Sequence, residues 1–250
     1  MLDVHPPHHP THTWKDFFIH LATIVVGLLI AVGLEQTVES LHHRHLANEF
    51  EDQMNEEFVS DRDMLEKDVA LQSAYRSYLT DLQMAINAKL EDRTFIMPSR
   101  DDPRNNYDFN IPQLSAYYVA KQNGTLSYIN NKKLGVFNRI ARQHDVLIDT
   151  FSMYRAAGLV VQAFRLQYDS QAEPIIAFSS PPRYANVGNL TKPELLRYRE
   201  IIANMMVEVD TMMWRFKYMN RLIQLTQDGI SDEVELSKQV REKFTATEPK

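Results

Sequence analysis

The segment from Phe17 to Leu34, FFIHLATIVVGLLIAVGL, constrains this chain more than any other, because His20 is its only ionisable residue. A helix rises ~1.5 Å per residue, so a run of this length nearly crosses a ~30 Å hydrocarbon layer. Trp14 and Lys15 precede it, where an indole ring and a snorkelling ammonium sit at headgroup level, and Glu35 ends it. The expectation is a transmembrane helix over 17–34 after a short His- and Pro-rich tail at 1–16. A buried core helix and a cleaved signal peptide are the other readings of such a run, the second because Ala31 and Gly33 have peptidase-site spacing. The weak positive charge ahead of the run and its length favour a retained anchor. Lys15 and the amino terminus lie on one flank, and Glu35, Glu39, Glu49, Glu51 and Asp52 oppose Arg44 on the other. That asymmetry predicts a single-pass cell-membrane protein with a cytoplasmic N-terminus and an extracytoplasmic C-terminal domain.

Thr23, Gly27 and Ala31 recur every four residues inside the run and place small groups on one helix face. Such a face lets two spans pack closely, although glycine and alanine are also common in spans that do not associate.

Over the whole chain, 44 % apolar and 24 % charged residues describe an ordinary folded protein of one domain. The net charge of −6, with no basic stripe, argues against a nucleic-acid partner. The absence of cysteine excludes disulfides, thiolate metal sites and thiol nucleophiles. Seven scattered glycines form no phosphate-cradling loop, and no cofactor is expected.

The rest reads as all-α, the anchor continuing into an antiparallel helical bundle over 35–229, with a short helix and tail at 230–250. Neither Gly nor Pro occurs between Leu34 and Met97, so a helix leaving the anchor meets no breaker and is expected to reach about Glu91. Its apolar stripe runs through Phe50, Met54, Phe58, Leu65, Val69, Leu79, Leu82, Ile86 and Leu90. Arg93 to Ile111 reads as an irregular excursion, and Asn110 and Gln113 around Pro112 as the start of a short helix that stops at Asn123-Gly124. A helix from Asn131 to about Tyr168 carries Phe137, Ile140, His144, Leu147, Phe151, Tyr154, Gly158 and Val161 in 3-4 alternation. Thr191 and Glu194 form a capping box for another, whose coiled-coil-like seam runs from Leu195 to Ile223 before Gly229 stops it. With the first helix leaving the membrane, the next long one returning and the last leaving again, Ser170 to Asn189 and its apolar Ile175, Ile176, Ala177 and Phe178 fall on the membrane-proximal side.

Candidate chemistry is sparse. His42, His43 and His45 follow Glu39 just beyond the span, and Glu39 with His42 has the i, i+3 spacing that puts a carboxylate and an imidazole on one face. These four are the metal-ligand candidates, although zinc or copper would need further ligands from another chain or from His5, His8, His9 and His12. A polar juxtamembrane collar is the plainer reading. Nine acidic residues between Glu49 and Asp68 face Arg62 and Lys67 alone, which fits a solvated helix face or a surface for cations or a basic partner. His144 reads as a hydrogen-bonded core histidine, and the Met205, Met206, Met212, Met213 and Met219 series as gap-filling core.

Two segments, IVVGLLIAVGLEQTVE and SAYYVAKQNGTLSYINNKKLGVFNRI, resemble a group of uncharacterised bacterial proteins with one N-terminal span and a helical domain. The resemblance implies that architecture and a bacterial membrane location, and no functional residue. The resulting expectation is a non-enzymatic, membrane-anchored interaction module or accessory subunit of a membrane complex, whose partners are the lipid bilayer and a second protein or copy. A small-ligand or metal-binding protein using the Glu39 to His45 cluster is the alternative.

Overall fold

The computed structural model describes residues 14–99, 102–105, 109–168 and 184–246, with side chains to 242. All regular structure among them is helical: α1 (Trp14–Leu90), α2 (Ser115–Asn123), α3 (Asn131–Tyr168), α4 (Lys192–Gln227) and α5 (Glu233–Ala246), with single 3-10 turns at Thr125–Tyr128 and Val187–Asn189. Two compact units divide the chain, Met1–Glu49 and Phe50–Lys250, and the 77-residue α1 runs through both without a break.

In the first unit, α1 is bare. It holds the one described stretch long and apolar enough to cross a membrane, with a mean hydropathy of 2.5 and none of its window covered by the rest of the chain. Leu28 and Leu29 are 64 % and 66 % exposed. At about 25 cal/mol per Å² of apolar surface, such a stretch is stable only against lipid or another apolar partner. Trp14 lies over Phe17 and Phe18 with ring centroids 6.1 and 6.0 Å away, so the aromatic residues gather at the N-terminal end of the run.

The second unit is a three-helix core of α1, α3 and α4, braced by α2 and α5. From Met54 the buried seam of α1 steps by four and three residues through Phe58, Asp61, Leu65, Asp68, Gln72, Tyr75, Leu79, Leu82 and Ile86. The 3.5-residue mean spacing keeps these positions on one face. Polar residues therefore occupy the middle of the seam, where the apolar pattern of the sequence falters, and Val69 and Leu90 lie at its margins. In α3 every expected seam position is buried except Phe151, which is half-buried. The α4 seam from Leu195 to Ile223 is fully inside, Met212 and Phe216 with no exposed surface.

Helix ends follow local chemistry. α1 closes with Asp92 left-handed at φ 51 and Arg93 N–H bonding Ala88 O at 2.8 Å, a glycine-free version of the usual C-terminal lock. Gly124 and Gly229 supply the left-handed turns after α2 and α4, at φ 83 and 95. The capping box of α4 forms, with Thr191 N–H bonding Glu194 Oε2 at 2.7 Å.

Helix directions correct one expectation. Phe50 meets Phe137 and Gln72 meets Tyr154, so α3 runs parallel to α1. Arg62 meets Asn220 and Arg76 meets Asp210, while Phe164 stacks on Tyr198, so α4 is antiparallel to both. The parallel course is possible because the described residues between 93 and 114 double back along α1 as a strap. Arg104 pairs with Asp81 at 2.8 Å, Asn110 N–H donates to Asp68 Oδ2 at 3.1 Å, and Ala116 N–H donates to Glu57 Oε1 at 3.0 Å. The chain thus returns to the start of the bundle before α3 begins. Tyr184, ahead of α4, consequently lies beside Tyr75 and Tyr78 and not beside Phe50. Ile175, Ile176, Ala177 and Phe178 fall outside the described residues.

The strap also moves the start of α2. Asn110 and Gln113 do not cap it: the helix begins at Ser115, after Leu114 in a left-handed conformation at φ 47, and Glu57 of α1 supplies the missing acceptor from across the bundle. A leucine held left-handed is strained, and its burial to 1 % exposure is what holds it there.

Candidate functional site

The Glu39 to His45 cluster is largely exposed and loosely arranged. Glu39 Oε1 lies 3.8 Å from His43 Nε2, the i, i+4 partner and not the i, i+3 partner expected, and the His42 and His43 ring centroids are 6.3 Å apart. His45 and His42 are both exposed on the same helix. Among the described residues no group of three or more His, Asp or Glu side chains is placed to hold a metal ion. His5, His8, His9 and His12 lie outside those residues.

Thr23, Gly27 and Ala31 form an exposed row in the apolar stretch. Thr23 Oγ1 bonds Ile19 O at 2.9 Å, which satisfies its hydroxyl within the helix, and a Cβ built on Gly27 meets no atom within 4 Å. The row is therefore smooth and open, with no polar group demanding a partner.

In the bundle, a line of polar groups that hydrophobicity alone does not flag runs along the buried side of α1. Asp61 is 8 % exposed, and its Oδ2 and the nearby Glu57 Oε2 are covered without a hydrogen-bond partner. Burial, reinforced by the Glu57 charge, pushes the Asp61 carboxyl up to about 6. Asp68 is also pushed up to about 6 by burial, against the pull of the Asn110 N–H that it accepts. Gln72 Oε1 accepts from Tyr154 OH at 3.2 Å in the same row. These carboxyls can hold or release a proton near neutrality, and Glu57 and Asp68 anchor the returning strap.

His144 is the hydrogen-bonded core histidine expected. It is 5 % exposed, with Nε2 2.6 Å from Pro112 O and Nδ1 3.1 Å from Tyr118 OH. Tyr118 OH donates to Asp145 Oδ1 at 2.8 Å, and burial together with that bond pushes the phenol up to about 12. The Asp-Tyr-His series ties strap, α2 and α3 together, and among the described residues no serine or threonine hydroxyl is bonded into it.

At the far end of α1's bundle segment a buried tyrosine group closes the core. Tyr75 and Tyr184 share a hydroxyl–hydroxyl bond, Ala185 N–H donates to Tyr198 OH at 3.1 Å, and burial drives the Tyr184 and Tyr198 phenols well above their ordinary value. At the opposite end a cavity of about 200 Å³ lies between α1, α3 and the α4–α5 turn, floored by Val136, Phe137 and Ile230. Glu51 and Lys133 close on each other at its rim, 2.6 Å apart. Of the methionines in the α4 series, Met205, Met206, Met212 and Met219 are buried and Met213 half-buried, so most of the series fills the core. In the acidic segment Asp52 and Glu56 are exposed, whereas Asp61 and Asp68 are not, which divides it into a solvated face and a buried one.

No protein family, curated protein or solved structure matches this chain.

Proposed function

We propose that this protein is a membrane-anchored, non-enzymatic helical interaction module, an accessory subunit of a bacterial membrane complex, with the bilayer and a protein partner or second copy as its partners. The observation that carries the reading is the uncovered apolar stretch at the head of α1: 77 residues of unbroken helix hold a window of mean hydropathy 2.5 with nothing packed on it. A lipid layer supplies the apolar surroundings that the chain does not. The flanking Trp14, Phe17 and Phe18 cluster suits one membrane interface, and the charge asymmetry around the span favours a cytoplasmic N-terminus and an extracytoplasmic bundle. Asp68, Glu57 Oε1 and His144 are engaged in holding the strap to the bundle, which is a structural use of them.

Native mass spectrometry of the protein extracted gently from its own membranes tests this reading. The expected result is the intact chain, anchor retained, with a second protein at fixed stoichiometry or as a defined homo-oligomer. A chain shortened after Ala31 to Gly33, or a monomer carrying stoichiometric transition metal, would overturn it. Because the sequence holds no cysteine, a single Ser60→Cys variant reports orientation cleanly. Labelling by a membrane-impermeant maleimide in intact cells is expected, and protection until the cells are opened would reverse the assigned topology.

A further inference from the structure

α4 carries a second patterned face besides its core seam. Val207, Thr211, Trp214, Tyr218 and Arg221 recur at intervals of four, three, four and three, which lines them along one side of the helix. Inward positions Met212, Phe216 and Met219 lie on the other. Val207 is 60 % exposed and Trp214 42 %. Trp214 stacks on Tyr218 with centroids 5.2 Å apart, and the Arg215 guanidinium lies 4.8 Å from the Trp214 ring centroid. Arg139 of α3 donates to Tyr218 OH at 2.9 Å. An open groove of about 400 Å³ lies between Val207, Asp210, Thr211, Trp214 and Arg215.

The charge state of this face is unusual for a chain of net charge −6. Among the described residues, no carboxylate lies within ion-pair distance of Arg139, Arg215 or Arg221. The neighbouring Asp210 is held by Arg76 through both oxygens, at 2.9 and 3.0 Å. Each of the three arginines has its Nε covered and without an acceptor; Arg139 Nη2 donates to Tyr218 OH and Arg221 Nη1 to Gln224 Oε1 at 2.6 Å, which holds those two guanidinium groups in place and leaves the remaining outer N–H groups to bond a partner. Stems held in this way lose little entropy when a carboxylate arrives, and the bonds formed are charge-assisted. Trp, Tyr and Arg are also the residue types that concentrate binding energy at interfaces.

We propose that this outer face of α4, with Arg139 from α3, docks an acidic segment of a protein partner. An apolar side chain of that segment enters the groove between Val207 and Trp214, and flanking Asp or Glu residues pair with Arg139, Arg215 and Arg221. The proposal rests on the reading of the chain as an interaction module and names its surface and the chemistry of its partner.

The test is photocrosslinking in the full-length protein in its native membranes, with the photoreactive residue at Val207 or Thr211. Val119 and Met153, which are 57 % and 60 % exposed, serve as controls elsewhere on the bundle. The expected result is one protein adduct from positions 207 and 211 only, joined to a peptide rich in Asp and Glu. Arg215→Glu or Arg221→Glu is expected to lower its yield by about tenfold with thermal unfolding unchanged. Yield that survives both reversals, a linked peptide without acidic residues, or adducts to lipid alone or to a second copy would each overturn the surface. Adducts from the control positions alone would overturn it while leaving the interaction-module reading intact. No adduct from any position, together with a monomer in native mass spectrometry, would remove both.

Discussion

Asp61 occupies a core position of α1 between Phe58 and Leu65, where its carboxyl accepts no hydrogen bond and faces the charge of Glu57. Replacing it by asparagine keeps its size and removes its charge. The carboxyl is raised from 3.8 to about 6, so the folded state keeps a proton that the unfolded chain loses. Stability contributed by this group is therefore undiminished below about pH 4, falls as pH rises to about 6, and stays low above that. At 1.36 kcal/mol per pH unit the shift corresponds to about 3 kcal/mol, reduced to about 1–2 kcal/mol because only Oδ2 is fully shielded from water. Asp61→Asn is thus expected to stabilise the fold at pH 7.5 and to raise Tm by about 2–8 °C at 2–4 °C per kcal/mol. The gain should vanish near pH 4. The assay is thermal unfolding of the full chain in detergent micelles, followed by circular dichroism at pH 4.5, 6 and 7.5. Asp68, raised in the same direction, remains in the variant, so the pH slope should shrink without disappearing. A loss of stability at pH 7.5, or an equal gain at pH 4.5 and 7.5, would refute the account of Asp61 as a buried, proton-holding carboxyl.

Other substitutions test the packing. Phe58→Ala empties a fully buried position that faces Phe137, and is expected to cost about 3–5 kcal/mol in denaturant unfolding. Gly158→Ala goes the other way: Gly158 is interior to α3 and a Cβ there meets no atom within 4 Å, so chemical denaturation should show a gain of about 0.5–1 kcal/mol. Tyr198→Phe leaves the buried Ala185 N–H without its acceptor, and a loss of about 1–3 kcal/mol is expected, read by hydrogen exchange at Ala185 as well as by Tm.

Much of this protein was legible before its structure. The long apolar stretch at the head of α1, the span of α3, the capping box and the α4 seam follow from interactions within a turn or two of the helix, and those are encoded in residue order. The apolar seam of α1 has gaps at Asp61, Asp68 and Gln72, where polar residues interrupt the hydrophobic pattern. Extending the three-and-four register through the gaps would have placed all three inside. The sequence alone thus determines the long helices, most of their ends and most of their apolar faces, but not the start of α2. Tertiary structure decided the rest: that α3 is parallel to α1, that the described residues between 93 and 114 double back along α1, that Glu57 caps α2 from another helix, and that Arg139 of α3 reaches Tyr218 on the outer face of α4. Each of these depends on groups far apart in the chain, and no local periodicity carries the information about which of them meet.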